Sequence, residues 1–139
     1  MGTTTTNLGL YKPAISETGW GANVNANFDT LDTYAASVPA TTQSGTTYTL
    51  VLSDAGEVVE CTSATAVTLT VPPNASVAFP TGTLVMVHQY GAGQVTLAPG
   101  AGVTLRSPGA KLKTALQYSS VSLRKRGTNE WVVSGDLTA

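Results

Sequence analysis

His88 and Cys61, the single histidine and single cysteine of the chain, are the residues whose chemistry would matter most. An imidazole beside a thiol can act as base and nucleophile, but no nucleophile elbow or cysteine-protease motif surrounds either one. His88 shares a strand face with Leu84, Met86 and Tyr90, and EVVEC makes Cys61 a small buried hydrophobe. Asp54 with Glu57, and Glu57 with Glu60, are carboxylate pairs of the general kind that glycan cleavage needs. The first pair lies on a turn and the second flanks an exposed strand, where charges are solvated. Asp29 and Asp32 stand three apart on a helical stretch, and two carboxylates make a poor cation site. In Arg124-Lys125-Arg126 the middle side chain faces opposite to its neighbours on a strand, and no aromatic residues interleave to make a nucleic-acid platform. There is no Gly-rich phosphate loop. The reactive groups do not converge, so the sequence predicts no enzyme, no cofactor and no metal site.

The elements that would position any site begin with residues 20–38. Val24, Phe28, Leu31, Ala35 and Val38 recur at spacings of four, three, four and three, with Asn, Asp and Thr between. That is the narrow a/d seam of a coiled coil. The spacing predicts a helix from about Gly21 to Ala36, stopped by Pro39. Barely two heptads long, it is marginal alone and needs partners, either copies of itself or the domain behind it. Ahead of it, MGTTTT has nothing to bury, and NLGLYKP is extended because Pro13 disfavours helix at Lys12.

Composition supports an assembly role. Charged residues are 11% of the 139, against roughly a quarter in ordinary soluble domains. So little solvating charge suits a subunit whose surface meets other subunits. The net charge of -1 gives no pull toward nucleic acid or an anionic membrane, and no apolar run reaches membrane-span length. The N-terminus lacks the charged and apolar regions of a cleaved leader, which predicts synthesis in a cytoplasm without that route of export. Six of the eight acids precede residue 61 and six of the seven bases follow residue 105. These halves either face each other between subunits or are ordinary solvated charges.

After Pro39 the pattern changes to strands and turns. Alternation predicts strands at 47–52, 58–61, 67–71, 95–97, 103–105, 115–125 and 130–134. Leu84 to Tyr90 is apolar on both faces, which predicts the most buried strand. About eight strands with frequent turns predict a mainly β protein, with a compact antiparallel sandwich or barrel over 41–139 and an attachment arm and oligomerising helix over 1–40. Val-Thr-Leu recurs at 67–69, 95–97 and 103–105, too irregularly to assert a β-helix.

Residues 7–32, NLGLYKPAISETGWGANVNANFDTLD, resemble an N-terminal module of tailed-bacteriophage structural proteins, particularly fibres and virion-surface proteins. The shared parts are Leu10, Pro13, Glu17-Thr18-Gly19-Trp20-Gly21, Asn25 and Asn27-Phe28-Asp29-Thr30-Leu31-Asp32. YTLVLSDAGEVVECTSATAVTLTVPPN and GAGVTLRSPGAKLKTALQYSSVSLRKRGTNEWVVSGD resemble a β-module of phage proteins. The resemblance implies a homotrimer in the virion, with Val24, Phe28, Leu31 and Ala35 on the trimer seam. It makes Leu8, Leu10, Tyr11 and Trp20 candidates for attachment to the particle, through the major capsid protein or other virion proteins. Because the chain stops directly after the β-domain, a capsid decoration or cement protein is expected first. A tail-fibre or baseplate component touching host surface glycan is the alternative.

Overall fold

The computed structural model describes Thr3–Thr4, Tyr11–Lys12, Ala14 and residues 18–139. The chain divides into two compact units, Met1–Pro39 and Ala40–Ala139.

In the first unit, β1 (Thr3–Thr4) pairs antiparallel with β2 (Tyr11–Lys12). The helix α1 runs Trp20–Ala36, entered through Gly19 at a left-handed φ of 79°. Among the described residues no side chain caps its first turn. Inside it, the hydroxyls of Thr30 and Thr33 donate back to the carbonyls of Ala26 and Asp29, each at 2.9 Å. These residues and the three asparagines give α1 poor intrinsic helicity, so its stability must come from packing.

The second unit is built from β3 (Ala40–Gln43), β4 (Thr47–Thr49), β5 (Val58–Cys61), β6 (Val67–Val71), β7 (Leu84–Gln89), β8 (Val95–Pro99), β9 (Thr104–Arg106), β10 (Lys113–Thr114), β11 (Ser120–Gly127), β12 (Glu130–Gly135) and β13 (Leu137–Thr138). They form a six-stranded sheet, β3-β5-β7-β11-β12-β9, and a five-stranded sheet, β13-β10-β8-β6-β4. From β3 to β8 the chain alternates between the sheets, so β3, β5 and β7 are parallel in one while β4, β6 and β8 are parallel in the other. This half of the unit is a coil of three rungs. Antiparallel pairing enters where β11 joins β7 and β12, and where β10 joins β8 and β13.

Both sheets are therefore mixed, which corrects the expected antiparallel pairing. Local alternation identifies a strand but says nothing of its neighbour's direction. The Val-Thr-Leu repeat proves structural. Val67, Thr68 and Leu69 lie in parallel register beside Val95, Thr96 and Leu97, one rung on the next. Its third copy ends in β9, on the other sheet, where β9 pairs with β12. The rungs differ in length, because the 72–83 excursion separates β6 from β7, and that obscured the period.

Inward residues of both sheets, among them Val59, Leu69, Val71, Val85, Val87, Leu97, Leu123 and Val133, supply one core, joined by Leu50 just after β4. Phe79, from the excursion, meets the Trp131 ring edge to face at 5.4 Å. The turns of successive rungs also stack. A Cβ at Gly91 or Gly93 would collide with the backbone carbonyls of Ser63 or Thr65, so these turns can approach only with glycine.

Strand β7 differs from expectation. Its inward residues Val85, Val87 and Gln89 are buried, but Leu84 and Met86 point outward and are substantially exposed. The second apolar face is open because no described element of this unit covers the outer face of the six-stranded sheet. The expected strand over 115–125 is likewise interrupted, since Tyr118 takes a φ of 69°, incompatible with a ladder.

Candidate functional site

The helix seam comes first. Phe28 is 64% exposed, Leu31 and Ala35 are also exposed, and Val24 is half-buried. Trp20 is the first residue of α1, one turn before Val24 and therefore on the same face, and it is 63% exposed. The expected attachment residue thus extends the expected seam. Tyr11 lies in β2. Leu8 and Leu10 fall outside the described residues, as do Pro13 and Glu17.

The reactive groups of the second unit remain apart. Cys61 pairs with Gln89 and Glu60 with His88 between β5 and β7, so successive side chains alternate between the faces of the sheet. The Cys61 thiol is buried, and desolvation pushes its pKa up to about 11. His88 sits on the outer face with its Nδ1 3.8 Å from Glu60 Oε1. Thiol and imidazole are separated by the sheet itself, so His88 does not reach the thiol as a base.

The carboxylates also separate. Asp54 is buried, not solvated, and accepts from the Tyr48 hydroxyl at 3.0 Å and the Val51 amide at 2.8 Å. Burial raises its pKa above the usual 3.8 despite those two hydrogen bonds, and the nearby Glu57 charge adds to the rise. Desolvation first, then Asp54, push Tyr48 up to about 12. Glu57 instead accepts from the Thr41 hydroxyl at 3.1 Å. Among the described residues no three His, Cys, Asp or Glu side chains gather as metal ligands.

Three basic side chains are committed within the chain. Glu130 accepts from Arg106 Nε and from Arg126 Nη1, the latter at 2.9 Å. The Arg106 hydrogen bond is the main influence holding the Glu130 carboxyl below its usual range. Lys125, between Arg124 and Arg126, turns inward and is only 2% exposed. Its Nζ donates to Asn74 Oδ1 at 2.5 Å and to the Phe79 carbonyl at 2.6 Å, 6.0 Å from the centre of the Trp131 ring. Burial lowers its pKa. Lys125 therefore ties the 72–83 excursion to β11. Alternation alone set it opposite to Arg124 and Arg126, but nothing in the sequence signalled a buried ammonium.

A shallow hollow of about 390 Å³ lies between Pro108, Gly109, Lys111, Gly135 and Leu137. Lys111 is its one ionisable lining residue, so it holds no acid–base pair.

A further exposed feature is aromatic. Tyr90 and Tyr118 meet edge to face at 5.9 Å, and His88 meets Tyr90 at 6.1 Å. The two tyrosines are 54% and 64% exposed. Sequence reading placed His88 and Tyr90 on one face but missed Tyr118, because a non-glycine residue at positive φ leaves no signal in QYSS. No family model matches this chain, and no curated protein or solved structure shows significant similarity to it.

Proposed function

We propose that this protein is a non-enzymatic structural component of a tailed-phage virion, a homotrimeric decoration or cement protein on the outer surface of the capsid. The observation that carries the reading is the exposed apolar row on α1, from Trp20 through Phe28 to Leu31. A short helix with asparagines on its polar faces gains little from leaving such a row in water. Burying it against two copies supplies the missing stabilisation, and roughly 25 cal/mol is gained for each Å² of apolar surface removed from water. The resemblance of residues 7–32 to phage attachment modules and the low charge content support the same reading.

The mechanism is mechanical. Three N-terminal arms bind symmetry-related junctions between capsid subunits, and burial across each junction opposes the outward pressure of packaged DNA. The β-domains, two-layered knobs in this reading, stand outward from the shell. Joining three weak attachments raises avidity over single-arm affinity by roughly 10²–10⁴.

The test is copy number per particle, measured by quantitative mass spectrometry against the major capsid protein. A ratio within a few-fold of the capsid subunit supports decoration. A handful of copies transfers the protein to the tail or a vertex, and absence from purified particles overturns the reading.

A further inference from the structure

We propose that the ledge formed by Tyr90 and Tyr118, at one end of the six-stranded sheet, binds an oligosaccharide chain. The tyrosine rings stack on the C–H faces of the sugar rings, while Gln117, His88 and Glu60 serve the hydroxyls. The proposal uses only the second unit and does not depend on where in a particle the protein sits.

The distribution of aromatic residues is the first argument. The second unit has five: Phe79 and Trp131 are in the core, and Tyr48 bonds Asp54 beneath β4. The remaining two, Tyr90 and Tyr118, are both outside and in mutual contact. Aromatic rings expose a costly apolar body, and two such bodies brought together on a surface make a contact platform.

The second argument is the frame that holds them. Tyr118 sits at a φ of 69°, a conformation that non-glycine residues seldom adopt unless their surroundings impose it. Here the surroundings do. The Tyr118 amide donates to the Gln89 carbonyl at 2.7 Å, and the Gln89 amide donates to the Ser119 carbonyl at 3.0 Å. The Leu116 amide donates to the Ser119 hydroxyl at 3.0 Å, and Gln117 Nε2 donates to the Tyr90 carbonyl at 3.0 Å. Beneath, the buried side chain of Gln89 accepts from the buried Thr114 hydroxyl, which itself accepts from the Val95 amide at 3.0 Å. A polar knot in the core thus fixes both tyrosines before any ligand arrives. Such preorganisation reduces the ordering cost of binding.

The polar groups select the ligand class. Glu60, His88, Tyr90 and Tyr118 form a continuous row, with Glu60 beside His88 and each aromatic ring against the next. Carboxylate, imidazole, amide and phenol next to apolar ring faces match a molecule that alternates hydroxyls with C–H patches. The anion at Glu60 repels a phosphate backbone, which argues against stacked nucleotides. The ledge is open, so it suits a chain lying along it more than a small molecule that must be enclosed.

The experiment is an NMR titration of the full chain with hexasaccharides of glucose, galactose and N-acetylglucosamine at millimolar concentrations. Expected are saturable shifts at residues 88–90 and 116–120 with at least one sugar. Tyr90→Ala should weaken that binding roughly tenfold, and Tyr90→Phe should retain it. Tyr118→Gly should weaken it similarly without loss of thermal stability, because glycine adopts the positive φ freely. Leu116→Ala removes an apolar group of the same loop that is 75% exposed, and should leave sugar binding unchanged. Silence with all three sugars overturns the proposal. So does a response unaffected by Tyr90→Ala and Tyr118→Gly. If both substitutions, together with Leu116→Ala, dissociate a multimer and leave any sugar response intact, the ledge is instead a contact between copies.

Discussion

The buried ammonium of Lys125 donates to the main-chain carbonyl of Phe79, and this bond pins the excursion between β6 and β7 to the later part of β11. Lys125→Met keeps most of the apolar stem beside Trp131 but removes the donor, leaving the Phe79 carbonyl unsatisfied in the core. The expected cost is about 1–3 kcal/mol in urea denaturation. A variant as stable as the parent would show that Phe79 packing and the backbone bonds of Gly82 and Thr83 to Lys125 hold the excursion without the ammonium.

Stacked turns make a second prediction. Gly93→Ala drives a Cβ into the Thr65 carbonyl, which belongs to backbone and cannot swing aside. A loss of roughly 1–3 kcal/mol is expected, lowering the melting temperature by several degrees. Gly45→Ala is the control, since its Cβ meets only the Thr47 carbonyl, at an ordinary 3.6 Å. Its effect should stay within about 0.5 kcal/mol.

Asp54 gives stability a definite sign with pH. Its folded pKa is raised above 3.8, chiefly by burial, so the folded chain holds this proton more tightly than the unfolded chain. The stability it contributes is complete below about pH 3.8 and is lost as pH rises through the folded value. Asp54→Asn carries no such term and keeps an acceptor for Tyr48 and Val51. Its melting temperature relative to the parent should therefore rise with pH across that window and then level off. A pH-independent difference would mean that Asp54 is as easily ionised folded as unfolded.

For the helix seam, Phe28→Asp places a charge from each copy at the centre of the proposed trimer, where unpaired burial is strongly unfavourable. Light scattering coupled to size exclusion should then report monomers where the parent gives trimers. Circular dichroism should also show lost helicity, because α1 has little stability of its own. A trimer that survives the substitution moves the assembly contact off this face.

What the sequence determined by itself is what short-range chemistry controls. The α1 helix follows from its apolar spacing and its stop at Pro39, and β5, β6 and β12 follow from alternation, each within a residue or so. That Lys125 faces opposite to Arg124 and Arg126 was legible for the same reason, since neighbours on a strand must point to opposite faces, but which side is the inner one was not. The exposed row on α1 was visible as a pattern before any coordinates. Tertiary structure decided the rest. Parallel pairing of β3, β5 and β7, and of β4, β6 and β8, depends on contacts across a whole rung, and rungs of unequal length hide that period from the chain. Burial of Asp54 and Lys125 depends on what folds over them: the Tyr48 hydroxyl for one, and the Asn74–Phe79 excursion for the other. The Tyr90–Tyr118 ledge exists because Gln89, distant in sequence, bonds to Thr114, Tyr118 and Ser119 beneath it and holds Tyr118 in a conformation its own side chain disfavours.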